Sequence, residues 1–112
     1  MMQVMYILVN KIPVQTTDVN LWSSNRATNR SICYTEYTND VSISTVFLGL
    51  DHNHSKVGEP ILFETMIFGG EYNDYQIRYC TYDEAVKGHD EACAMANKVQ
   101  IDRDNKIRDI LK

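Results

Sequence analysis

Two prolines and five glycines in 112 residues leave no room for a proline-rich linker or a glycine-rich repeat. Cysteine is scarce as well. Cys33, Cys80 and Cys93 are odd in number and form no C-x-x-C knuckle, which excludes the usual structural zinc module. They read as reduced thiols in or near a core, as in a cytosolic protein. Long apolar runs are missing, and no stretch approaches the ~20 residues that span a bilayer. The apolar start Met2 to Val9 lacks a basic leader region and a small-residue cleavage site, so a soluble intracellular protein is expected. Basic charge is also in deficit: 11 Lys and Arg stand against 15 Asp and Glu, a formal charge of −4. That excludes a generic DNA- or RNA-coating protein but leaves room for one small phosphorylated ligand in a local basic site.

What is there fits a single domain, residues 1–112. A chain this short buries only about 60–70% of its unfolded surface, so oligomerisation would help it. Val4 to Val9 reads as a buried strand that Pro13 and the polar run Gln15 to Asp18 end. Asp18 can cap a short helical turn through Val19, Leu21 and Trp22, and Ser23 to Arg30 reads as a loop. Ser31 to Thr38 alternates, with Ile32, Tyr34 and Glu36 on one side and Cys33, Thr35 and Tyr37 on the other. Asn39-Asp40 marks a two-residue hairpin turn into Val41 to Leu50. That second strand sets Val41, Ile43, Thr45 and Phe47 opposite Ser42, Ser44, Val46 and Leu48. Pro60 to Phe68 and Gln76 to Cys80 follow as strands.

The period then changes. Thr81 to Glu84 forms a capping box, and Ala85, Val86, His89, Ala92, Cys93 and Ala96 recur at helical spacing. A second short helix is expected around Ile107, Ile110 and Leu111, with Arg103, Lys106 and Arg108 about it. The fold class is α+β: an N-terminal antiparallel sheet of four or five strands over about 2–80, then two C-terminal helices over about 81–111.

Several residue groups carry chemistry on paper. Asp51-His-Asn-His54 could hold a metal with Glu64 or Asp74, but nothing orders these parts. The plainer reading has Asp51 and His52 bonding a turn and His54 in solvent. His89, on an apolar stripe, reads as a core histidine. Gly69-Gly70 is a turn, since no helix follows it to cradle a phosphate. No serine sits in a nucleophile elbow and no cysteine has a base signature, so neither catalysis nor a cofactor is expected. Arg26 and Arg30 flank Thr28-Asn29, and Arg78 lies among Tyr72, Tyr75, Tyr79 and Tyr82. Forked guanidinium donors suit phosphate and aromatic faces suit a base, although tyrosine-rich strands are usually half-buried surface.

Three segments in order, Ser44-Thr-Val-Phe-Leu-Gly-Leu-Asp-His52, Leu62-Phe-Glu-Thr-Met-Ile-Phe-Gly-Gly70 and Arg78-Tyr-Cys-Thr-Tyr-Asp-Glu-Ala-Val-Lys-Gly-His89, resemble a family of small phage and prophage proteins. The likeness covers residues 44–89 and, more loosely, Trp22 to Arg30. Within it the chain is similar to the first-described Thoeris anti-defence proteins, which are phage-encoded sponges. The resemblance implies an N-terminal antiparallel sheet with C-terminal helices, a homodimer or higher homo-oligomer, and the cytoplasm of an infected bacterial host. It also implies binding of cyclic ADP-ribose isomers made by TIR-domain enzymes, and in some members of cyclic oligonucleotides, with no DNA or membrane partner.

The resemblance places no pocket residue by motif. Position along the chain suggests Arg26, Arg30 and Arg78 as phosphate or ribose contacts, Phe47 and Tyr75 as aromatic walls, and Asn29 and His52 as polar fixers. Two other readings stand beside the sponge. One is a small hydrolase of the same signal using Asp51, His52 and Glu64; the other is a phage accessory protein that binds a host protein.

Overall fold

Met5–Val9 (β1) and Ile12–Thr16 (β2) form an antiparallel hairpin where one strand and a polar tail were expected. Asn10 and Lys11 both take positive φ, 49° and 70°, which is the type I′ combination that matches strand twist. Pro13 does not break β2. Counting from the closing pair Val9↔Ile12, Leu8↔Pro13 is a non-hydrogen-bonded pair, so the missing N–H costs no ladder bond. The computed structural model describes residues 4–37, 40–55 and 57–110, apart from the side chains of 99–104, 107 and 109.

Val19–Asn29 is a full helix, α1, over the segment expected as a turn and a loop. Asp18 caps it, accepting from the N–H groups of Asn20 and Leu21 at 3.0 and 3.1 Å. Ser24 and Thr28 are weak helix formers that bond back to carbonyls three and four residues earlier. Tertiary bonds from Trp22 and Asn25, described below, hold what propensity does not.

Ser31–Tyr37 (β3), Val41–Phe47 (β4), Phe63–Phe68 (β5) and Gln76–Tyr79 (β6) make a four-stranded antiparallel sheet in sequence order. The chain is α+β, but its strands divide between two sheets. Tyr37 pairs with Val41, so three residues connect β3 and β4, not two. Asp40 ends that connection at φ 64°, as three-residue hairpins require; Asn39 lies outside the described residues. Alternation in β4 is as expected: Val41, Ile43, Thr45 and Phe47 are buried and the residues between are not. In β3 a register shift between Ser31 and Cys33 turns Ile32 to the core side, against the expected alternation.

Tyr82–Ile110 is one continuous helix, α2, in place of two. No glycine or proline interrupts residues 89–110, so nothing ends the helix where a break was expected. Leu111 lies outside the described residues, as do the side chains of Arg103 and Ile107. The capping box is made: the Glu84 N–H donates to Thr81 Oγ1 at 3.1 Å, and the Thr81 N–H donates to Glu84 Oε1 at 3.0 Å. Ala85, His89, Ala92 and Ala96 press the helix onto the sheet through two core clusters. One cluster gathers Leu8, Phe47, Leu62, Phe63 and Ala85; the other gathers Val41, Ile43, Ile67, Ala92 and Ala96. Among the described residues no helix is long and apolar enough to cross a membrane.

A polar chain crosses this core. The two ring nitrogens of His89 meet Thr35 Oγ1 at 3.0 Å and Thr45 Oγ1 at 2.8 Å, and Thr45 meets Thr65 at 2.6 Å. Burial holds the His89 imidazole below its ordinary value, with nearby Asp90 opposing. The unfolded chain therefore binds this proton more readily than the folded one. Stability is expected to fall as pH drops below about 6.5 towards the lower folded value. Thermal melts across that window should show the loss in the wild type and a flatter profile in His89→Gln.

Candidate functional site

α1 lies against β1 and the turn after β4, and three of its side chains make the contact. Asn25 acts as a strand substitute: its Oδ1 accepts from the Leu8 N–H at 2.9 Å and its Nδ2 donates to the Leu8 carbonyl at 3.1 Å. Those backbone groups face away from β2 and would otherwise be orphaned. Trp22 Nε1 donates to the Gly49 carbonyl at 3.0 Å, which also accepts from the Tyr6 N–H at 2.8 Å. Arg26 lays its guanidinium over the Trp22 ring, 4.9 Å from the centroid. Its Nε is buried with no hydrogen-bond partner.

Gly49 makes this corner possible. Its φ is +76°, and a Cβ there would sit 3.1 Å from Trp22 Nε1 and 3.2 Å from Arg26 Cδ. The outcome is a half-buried cation, stacked on an indole, with one donor unspent. Such a group favours an oxyanion or carbonyl oxygen, because a buried N–H without an acceptor is costly.

The other expected site residues divide by position. Asn29 is half-buried on α1 and donates to Thr28 Oγ1 at 3.2 Å. Arg30 follows the helix and is exposed; its carbonyl accepts from the Phe47 N–H at 2.7 Å. Phe47 is therefore beside Arg30 along the backbone, yet its ring is fully buried against Phe63, 5.3 Å between centroids, and presents no face to a ligand. His52 donates from Nδ1 to the Leu50 carbonyl at 2.9 Å.

Arg78 and Tyr75 lie apart from that corner. Arg78 sits on β6 and donates to Glu64 Oε2 at 2.9 Å, so its charge is matched. Tyr75 packs against the cluster of Val41, Ile43 and Ile67, around the opposite end of β4 from Phe47. The structure thus brings Arg26, Asn29 and Arg30 together and leaves Arg78 and Tyr75 elsewhere.

The residues proposed for hydrolysis or metal binding hold local structure. Asp51 Oδ1 accepts from the N–H groups of Asn53 and Ile61 at 2.8 and 3.0 Å, fixing the 51–61 loop. His54 is exposed, with its ring 6.5 Å from that of His52. No group of three or more metal-ligating side chains occurs among the described residues. All three cysteines are free, and burial pushes the Cys33 and Cys80 thiols up, away from thiolate chemistry.

Trp22, Asn25 and Gly49 are the site residues that sequence reasoning missed. Trp22 is the only tryptophan, and with Arg26 four residues on it gave a helical cue that the surrounding serines and asparagines hid. The chain finds no match among protein-family models, curated proteins or solved structures.

Proposed function

We propose that this chain is a non-catalytic binding protein that sequesters a cyclic ADP-ribose-type signal and so blocks TIR-dependent Thoeris defence in the cytoplasm of an infected bacterium. The three ordered motifs over residues 44–89 support it as a resemblance. The single structural observation that carries it is the Trp22–Arg26 stack at Gly49, with a buried guanidinium donor that lacks an acceptor. It lies in the Trp22–Arg30 stretch that the resemblance also touches. A sponge must hold a phosphorylated ligand tightly and leave it unchanged, and a half-buried guanidinium stacked on an indole suits the first without supplying a nucleophile.

Heating the complex tests this. After incubation with the products of an active TIR enzyme, heat should release the intact signal. A cleaved product would support the hydrolase reading through Asp51, His52 and Glu64.

The working form is a homodimer or higher homo-oligomer, with cyclic oligonucleotides as further ligands. The radius of gyration is 17.3 Å, whereas a compact chain of this length has about 13 Å. The excess comes from α2, about 43 Å long, whose last buried described side chain is Ala96. The side chains described beyond Ala96 are exposed, and a long helix with an exposed second half is marginal alone, so a second copy is expected to cover it. Sedimentation at micromolar concentration should show at least twice the 12.9 kDa chain mass; a single species at the chain mass would contradict it.

One observation favours the host-protein reading. Val9, Ile12, Val14, Val19 and Leu21 on β1, β2 and α1, with Val4 just before β1, are exposed apolar side chains. A thermal-shift assay silent to TIR products, with a host protein retained in pull-downs, would select it.

A further inference from the structure

The stripe that carries Arg26 continues along α1. Val19, Trp22 and Arg26, at i, i+3 and i+7, share one helix face. Gly49 touches the Trp22 and Arg26 end, and Leu50, the next residue, reaches the Val19 end. There a cleft of about 480 Å³ opens, lined by Val4, Met5, Val19 and Leu50 together with the neutral polar run Gln15 to Thr17. Among the described residues no charged side chain lines it. Its size is that of a small-molecule site, and its few neutral polar groups suit hydrogen bonds to a base edge.

The opposite end is basic. α1 carries no acidic residue, and Arg26 and Arg30 are i, i+4 neighbours on a chain of net charge −4. Two guanidinium groups outweigh the partial negative charge of the helix C-terminus. Seven residues of helix separate Val19 from Arg26, about 10 Å. That is the reach of a nucleotide from its phosphate to the far edge of its base.

We propose that α1 and the Gly49–Leu50 segment form one two-part site for a nucleoside phosphate, with the phosphate at Arg26 and the uncharged base in the Val19–Leu50 cleft. This deepens the sponge reading and rests on it for the identity of the natural ligand. It commits to a ligand that is amphiphilic. An anion alone fills one half, and a neutral nucleoside alone fills the other.

Trp22 is the sole tryptophan and lies between the halves, so its fluorescence reports occupancy of either. The probes are adenosine 5′-monophosphate, adenosine and inorganic phosphate, titrated by fluorescence and by calorimetry. The monophosphate should bind more tightly than either fragment. Arg26→Gln should weaken it by roughly 10- to 150-fold, to the level of adenosine. Val19→Glu places a charge in the cleft at an exposed first-turn position that tolerates an acid, so folding is kept while monophosphate binding falls.

Equal binding of all three probes by the wild type, or monophosphate binding unchanged in Val19→Glu, would overturn the two-part site. A parallel titration with TIR products separates the two claims. The stated pattern with no retention of TIR product upholds the two-part site and overturns the sponge reading. Retention of TIR product with wild-type affinity by both variants overturns the two-part site and the phosphate role of Arg26, and leaves sequestration itself standing.

Discussion

Phe47→Ala is expected to cost about 3–5 kcal/mol of stability, as for a phenylalanine deleted from a packed core. The ring is fully buried in the cluster of Leu8, Leu62, Phe63 and Ala85, which joins β1, the sheet and α2. A domain of this size has only about 5–15 kcal/mol to lose. Chemical denaturation should therefore show a midpoint far below the wild type, and any loss of ligand binding should track unfolding. Phe47→Leu keeps most of the volume and should retain both stability and binding. Binding lost in Phe47→Leu with an unchanged midpoint would make Phe47 a ligand wall after all.

Gly88→Ala is the second large effect, and it acts through Tyr79. A Cβ on residue 88 would lie 1.9 Å from the Tyr79 hydroxyl oxygen and 2.2 Å from the ring carbon that bears it. The hydroxyl is buried without a hydrogen-bond partner, and burial pushes its phenol up. Overpacking costs about 1–3 kcal/mol, and here a loss in that range is expected because the half-buried Tyr79 ring must shift against the core cluster it packs on. Gly88→Ala combined with Tyr79→Phe removes the closest atom and should recover part of the loss. A single variant as stable as the wild type would show that α2 sits farther from β6 than described.

Legibility followed the strength of local signals. β4 was readable because it alternates strictly and its buried residues are apolar or threonine, whereas β5 was readable as a strand but begins at Phe63 and not at Pro60. The capping box was readable because its four residues satisfy each other. α1 was not, since its stability comes from Asn25 on Leu8 and Trp22 on Gly49, partners 17 and 27 residues away. β2 was hidden by Pro13, whose harmless placement depends on a register that only the hairpin fixes.

The candidate site shows the same division. Arg26, Asn29 and Arg30 stay together because they are close in sequence. Arg78 and Tyr75 were grouped with them by residue type; Arg78 shares a row with Glu64, Val46 and Ser31, but strand order puts β6 at the far edge from β3, and Tyr75 packs on the other core cluster. The inward aim of Phe47 was already implied by its alternation with Ile43 and Thr45. Gly49 carried no signal of its own, because one glycine in a strand-end sequence does not announce which side chains approach it.

The central claim is that Arg26, stacked on Trp22 at Gly49, holds the phosphorylated part of a signal that the protein keeps intact. Calorimetric titration of wild type and Arg26→Ala with purified TIR product tests it most directly, with oligomer mass checked for both. The expected result is saturable binding by the wild type, weakened by about 10- to 150-fold in Arg26→Ala at unchanged mass. Identical isotherms for the two proteins, or no heat from the wild type, would contradict it.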